Sequence, residues 1–175
     1  MKKRLATLFL TCVMCTSITS ISSITSYASG EKPFGDLPQS QTTISTKTAT
    51  GGISPMFNDT LPYTATSWLD GYCSSRPWIG LNTYNGGATS KTRTADGSIR
   101  DVDYIYCRIR AYTWISNSWT LNSQNSATDA NAADVAANVY GVKAARDSDV
   151  IFYSSHTYKE AGYADINHEL SDSSF

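Results

Sequence analysis

Two histidines, His156 and His168, are the side chains best suited to acid–base or metal chemistry in this sequence, and Ser154, Ser155, Asp165 and Glu169 lie near them in the chain. That set contains the residue types of a Ser-His-Asp hydrolase or of a His/His/carboxylate metal site. Spacing decides against the first. Adjacent residues on a strand point to opposite faces, so Ser155 and His156 do not share a hydrogen bond, whereas Ser154 and His156 share a face. No Gly-x-Ser-x-Gly elbow is present to expose a nucleophile. A metal site would ask for a tight His-x-x-x-His pair, which is also missing. The sequence therefore predicts hydrogen-bonded histidines at the surface or at strand ends, no catalytic residues, no metal and no cofactor.

A second group of residues has a different chemistry. Between Asp101 and Trp114 the chain alternates with period two for longer than anywhere else. Ile105, Cys107, Ile109 and Ala111 form a small apolar face; Tyr104, Tyr106, Arg108, Arg110, Tyr112 and Trp114 form the other. Aromatic rings beside guanidinium groups suit sugar rings, anionic polymers or a partner protein, through stacking, cation–π contact and bidentate hydrogen bonds. Tyr106, Arg108, Arg110, Tyr112 and Trp114 are the candidate binding residues. The bland alternative is that the row is the wet face of an antiparallel sheet, or a second core face.

The elements that position these residues begin with an address. Met1-Lys2-Lys3-Arg4, an apolar run from Leu5 to about Val13, and Ser26-Tyr27-Ala28 read as a secretory signal peptide over residues 1–28. Ser and Thr break the run well short of the roughly 18 apolar residues a span requires, so no membrane span is expected after cleavage. Of the 14 bases, Lys2, Lys3 and Arg4 lie in that segment, which leaves 11 against 15 acids. A mildly acidic exported chain without a basic stripe is not expected to bind nucleic acid. Cys12 and Cys15 leave with the leader. Cys73 and Cys107 remain, and an even pair in an exported chain is most simply a disulfide, closing a loop of about 34 residues.

Residues 29–60 are rich in Ser, Thr, Gly, Pro and Gln and read as a flexible segment or a propeptide, with Thr42–Thr50 as a stretch able to pair as an edge strand. The folded unit then spans residues 61–175, a normal length for one core. Within it, the spacing predicts a strand near Trp78–Tyr84 ending at an Asn85-Gly86-Gly87 turn. A polar strand to Thr94, a turn at Asp96-Gly97 and the long central strand follow. A hairpin at Ile115–Ser118 and a strand at about Asp149–Tyr158 complete the clear signals. Residues 130–140 fit either a helix or a strand, and their β neighbours favour the strand. The tail from Ser171 to Phe175 is expected to fray.

Val102-Asp103-Tyr104-Ile105, Tyr112-Thr113-Trp114, Trp119, Ser155-His156 and Gly162 together resemble small secreted proteins of Gram-positive bacteria with an uncharacterised immunoglobulin-like β-sandwich. The resemblance covers about residues 98–163. It implies an all-β fold and export, and no activity or site residue to carry over. The expectation is thus a secreted, single-domain, antiparallel immunoglobulin-like sandwich with one disulfide. Its expected role is non-catalytic, a binding or interaction module for cell-wall glycan or another protein. A bacteriocin-like toxin and a small hydrolase using His156 or His168 are the rival expectations.

Overall fold

The computed structural model describes residues 26–28, 42–49, 63–173 and 175. The leader expected over residues 1–28 lies outside them except for its last three residues. The described chain is all-β and forms two antiparallel sheets. In order, the strands are β1 (Ser26–Ala28), β2 (Thr42–Ala49), β3 (Tyr63–Ser75), β4 (Asn82–Thr94), β5 (Tyr104–Ile115), β6 (Ser118–Asp129), β7 (Asp134–Ala144), β8 (Val150–Lys159) and β9 (Ile166–Asp172), with one short 3-10 turn at Asp147–Asp149. One sheet runs β1-β6-β5-β8-β9 and the other β2-β3-β4-β7. The chain changes sheets after β1, after β4, after β6 and after β7.

Period-two alternation produces the packing. Ile105, Cys107, Ile109 and Ala111 are all fully buried, as the alternation of β5 requires. Cys107, Ile109 and Ala111 meet Leu69, Tyr84 and Ala88 from β3 and β4, Ala137, Val139 and Val142 from β7, and Phe152 and Leu170 from β8 and β9 in one core, while Ile105 joins a second with Tyr63, Ala65, Val102 and Tyr158. Residues 134–144 form a strand: Val135, Ala137 and Val139 face inward, and Gly141, at φ +73°, absorbs the irregularity before Val142. The β5–β6 hairpin turns at Ser116 and Asn117, both with positive φ, the backbone a two-residue hairpin demands. Asp96-Gly97 also turns as expected, with the Gly97 amide donating to the Thr94 carbonyl.

Three expectations are corrected. Trp78–Leu81 is loop, and β4 runs straight through Asn85-Gly86-Gly87. The reason is steric. Gly71 and Gly86 are cross-strand partners, and a Cβ built on either would lie within 3 Å of the Phe152 ring, so these glycines make room for a side chain instead of a turn. The C-terminal tail is not frayed: the Asp172 carboxylate accepts the Gly71 amide at 2.9 Å, and Phe175 packs edge-on against Phe152 at 5.5 Å. Within residues 29–60, Thr42–Ala49 pairs with β3 as the edge strand its composition allows.

The disulfide is the third correction. Cys73 and Cys107 are both free. Cys73 pairs with Tyr84, whereas the Cys107 thiol faces the Ala88 carbonyl at 3.6 Å. Four residues of β4 separate these positions, about 13 Å of strand, and a disulfide spans about 4.4 to 6.8 Å between Cα atoms.

Candidate functional site

The row on the outer face of β5 has two kinds of surroundings, which lie on either side of a register shift with β6 between Ala111 and Tyr112. On one side Tyr104, Tyr106, Arg108 and Arg110 are half-buried and reach solvent. The Tyr104 and Tyr106 rings lie nearly parallel, 12° apart, with centroids 6.5 Å apart, and the Lys159 ammonium sits 6.0 Å from the Tyr104 ring centre. Arg108 donates to Gln124 of β6, and Arg110 donates to the Ser155 hydroxyl of β8 at 2.8 Å. Thr157 and Ser155 continue the same polar surface across β8, with Asn167 and Glu169 beyond them on β9.

On the other side of that shift Tyr112 is buried and Trp114 is half-buried against other aromatic rings. Tyr112 is only 2% exposed and sits edge-on to Tyr153 at 5.8 Å; Trp114 is edge-on to Trp119 at 5.4 Å. With Ile151 and Leu121 they make a small apolar cluster of their own. Of the five residues expected to form a continuous binding row, Tyr106, Arg108 and Arg110 stay together on open surface, and Tyr112 and Trp114 do not join them. β5 keeps its register with β8 through Thr113, so its alternation is intact, and Tyr112 and Trp114 are covered by Tyr153 of β8 and Trp119 of β6, which the sequence of β5 alone does not show.

The histidines are not at the surface. His156 pairs with Cys107 on one side and with His168 on the other, so both rings point between the sheets, and they are 1% and 4% exposed. They belong to a polar band across an otherwise apolar core. Tyr158 donates its hydroxyl proton to the Thr66 carbonyl at 2.8 Å, so its oxygen accepts from Ser67, and the Ser67 oxygen accepts in turn from His168 Nδ1 at 2.8 Å. A second chain runs parallel. Ser90 donates to the Tyr106 carbonyl at 3.0 Å, its oxygen accepts from His156 Nδ1 at 2.8 Å, and His156 Nε2 accepts from Ser154 at 2.7 Å. Burial keeps both rings neutral, which puts the proton on Nδ1 and leaves His168 Nε2 a buried acceptor with no donor among the described residues.

Burial pushes the His156 imidazole down to about 3, helped by His168 alongside; burial and the charge of Lys47 push His168 down to about 4. Ser154 and His156 do meet, as their shared face implied. The hydroxyls of Ser67, Ser90 and Ser154 are at most 1% exposed, where no substrate carbonyl reaches them. Among the described residues no carboxylate completes the arrangement: Asp165 pairs with Lys159 at 3.1 Å, and Glu169 stands opposite Ser155 on the outer face. Among the described residues no three metal-ligating side chains come together. Ser67 and Ser90, which anchor the histidines, carry no sequence signal because they lie more than sixty residues away from them.

The free thiols differ in chemistry. Burial pushes the Cys107 thiol up to about 11, so it is protonated and unreactive, while Cys73 is half-buried near the end of β3. Alkylation of the native protein, read by mass at each cysteine, should modify Cys73 and spare Cys107 until urea is added. Cys73→Ser should cost less than about 1 kcal/mol, against the roughly 2 to 5 kcal/mol of a lost disulfide. A peptide carrying both residues joined would refute this. No protein family, no curated protein and no solved structure matches the chain.

Proposed function

We propose that the protein is an exported, non-catalytic binding module that holds its ligand on the outer face of β5, at Tyr104, Tyr106, Arg108 and Arg110. The observation that carries this reading is the stacked pair of tyrosines beside two half-exposed guanidinium groups, on a surface otherwise lined by Ser, Thr, Asn and Gln side chains with Lys159 and Glu169 beside them. Flat rings take the face of a sugar, and arginines take carboxylate or phosphate oxygens. Cell-wall glycan, which offers both, is the ligand class that fits best, and an acidic patch on another protein is the next. Kinship with immunoglobulin-like sandwiches is supported by connectivity: β3-β4-β7 on one sheet faces β6-β5-β8-β9 on the other, with the sheet changes of a Greek key.

The test separates binding from folding. Tyr106→Ala with Arg108→Ala should lower association with purified cell wall at least about tenfold, the cost of losing two central contacts. The melting curve should move by the equivalent of less than about 1 kcal/mol, since neither side chain is in the core. Undiminished association would sink the reading.

A further inference from the structure

Exposed apolar side chains are not spread evenly over this molecule. Of the seven large ones among the described residues, six (Tyr72, Trp78, Ile79, Leu81, Ile115 and Tyr140) lie toward one end, and Ile99 alone lies at the other. That end carries the β3–β4 loop, the β5–β6 hairpin and the β7–β8 connection, because β3, β5 and β7 all run toward it and β4, β6 and β8 run away. Tyr72 stands opposite Asn85 near the end of β3, and the side chain of Asn85 accepts the amide of Gly141, next to Tyr140.

The β3–β4 loop is the tip. Trp78 is 99% exposed, Ile79 83% and Leu81 50%. A protein that only folds has no use for a bare tryptophan followed by a bare isoleucine, and such a patch marks a contact with something else. The loop is also held in place. Arg76 at its base grips Asp147 with two hydrogen bonds of 2.8 Å and reaches the Phe175 carbonyl at 3.3 Å, Pro77 fixes the backbone, and Gly80, at φ +116°, reverses it. The apolar tip is presented ready-made, so little ordering entropy is lost when it is buried.

We propose that this end docks peripherally on an anionic lipid bilayer, with Trp78 and Ile79 entering the interface. The chemistry selects that occupant. Ile79 and Leu81 offer no polar atom to a sugar, whereas an indole flanked by branched aliphatics suits the boundary between headgroups and acyl chains. Lys143 and Arg146, both exposed and without an ion pair among the described residues, sit on the neighbouring β7–β8 side of the tip and meet anionic headgroups. Of the two acids there, Asp147 is already engaged by Arg76 and by the Tyr84 hydroxyl at 2.7 Å, and Asp149 is half-buried. This surface is separate from the face of β5, and the proposal does not rest on the glycan reading.

The experiment is vesicle co-sedimentation of the full chain, using phosphatidylcholine with about half phosphatidylglycerol, and phosphatidylcholine alone, at low and high salt. Expected are binding to the anionic vesicles, and a loss of at least about tenfold in Trp78→Ser/Ile79→Ser. Lys143→Gln/Arg146→Gln should weaken binding several-fold and flatten its salt dependence. Brominated lipid should quench tryptophan fluorescence in the parent and much less in Trp78→Phe. Thermal melts should match throughout, because these side chains are exposed. The proposal is overturned if the parent does not sediment, or if binding persists in the Trp78→Ser/Ile79→Ser variant, as it would if the apolar leader at residues 5–13 were responsible. Dimers that form without lipid and dissociate in that variant would also overturn it, in favour of a surface for a second copy.

Discussion

Phe152→Ala should destabilise the protein by about 3 to 5 kcal/mol, the range for deleting a buried aromatic ring whose surroundings cannot close in. The ring is fully buried, with the paired glycines Gly71 and Gly86 on the facing sheet and Phe175 edge-on at 5.5 Å. The facing strands cannot simply collapse onto the vacancy, because they are held in register by the backbone ladder between β3 and β4. The complementary change fails for the opposite reason. A Cβ on Gly86 would stand 2.9 Å from the ring and 3.0 Å from Ile109, so Gly86→Ala should cost roughly 1 to 3 kcal/mol by overpacking. Because both changes act on one contact, Gly86→Ala combined with Phe152→Leu should be less damaging than the sum of the two singles. Urea denaturation of the four proteins checks this, and strict additivity would mean the ring and the glycines do not share a contact.

Acid should destabilise the protein from pH 6.5 downward, before most of its carboxylates protonate. The folded state holds His156 down to about 3 and His168 down to about 4, while in the unfolded chain each titrates near 6.5. A depressed histidine binds its proton more weakly in the folded state, so its contribution is intact above pH 6.5 and erodes as pH falls toward the folded value. The slope is about 1.4 kcal/mol per pH unit for each ring, so the two together cost roughly 5 kcal/mol by pH 4.5. That is comparable to the whole stability of many domains. The urea midpoint should fall steeply between pH 6.5 and pH 4.5, and His156→Gln/His168→Gln should flatten that dependence. A parent midpoint that stays constant over this interval would show that the rings are not neutral and buried.

What could be read from the sequence divides by how continuous each strand's own apolar signal is. β5 and the β5–β6 hairpin were legible from clean alternation bounded by turn residues, β8 from its β-rich run Val150-Ile151-Phe152-Tyr153, and β7 only by leaning on its β neighbours, since residues 130–140 fit a helix as well as a strand. β3 and β9 were not. The inward face of β3 is Tyr63, Ala65, Ser67, Leu69 and Gly71, in which a serine and a glycine interrupt the apolar signal, and both are there for partners far away in the chain: His168 and Phe152. β9 was obscured in the same way, since His168 and Asp172 face inward only because Ser67 and the Gly71 amide receive them. The disulfide expectation failed on a distance along β4 that no residue count reveals. The open half of the Tyr/Arg row was legible from alternation alone, whereas the exposed Trp78 was assigned to a strand because indole and isoleucine are common in strands.

The order of the strands also governs how the protein reaches this structure. β3 with β4, β5 with β6 and β8 with β9 are neighbours in sequence, and such hairpins close within microseconds. Each sheet is completed only when β7 finds β4 across the intervening β5–β6 hairpin, and β8 finds β5 across β6 and β7. Closing those loops costs entropy before any core contact rewards it, which places the rate in the millisecond-to-second range of sandwich-like topologies. The histidine chains link β8 to β4 and β9 to β3, and so form only after both closures. In a chevron analysis, removing Ser90 or His168 should therefore accelerate unfolding and leave the refolding limb almost unchanged.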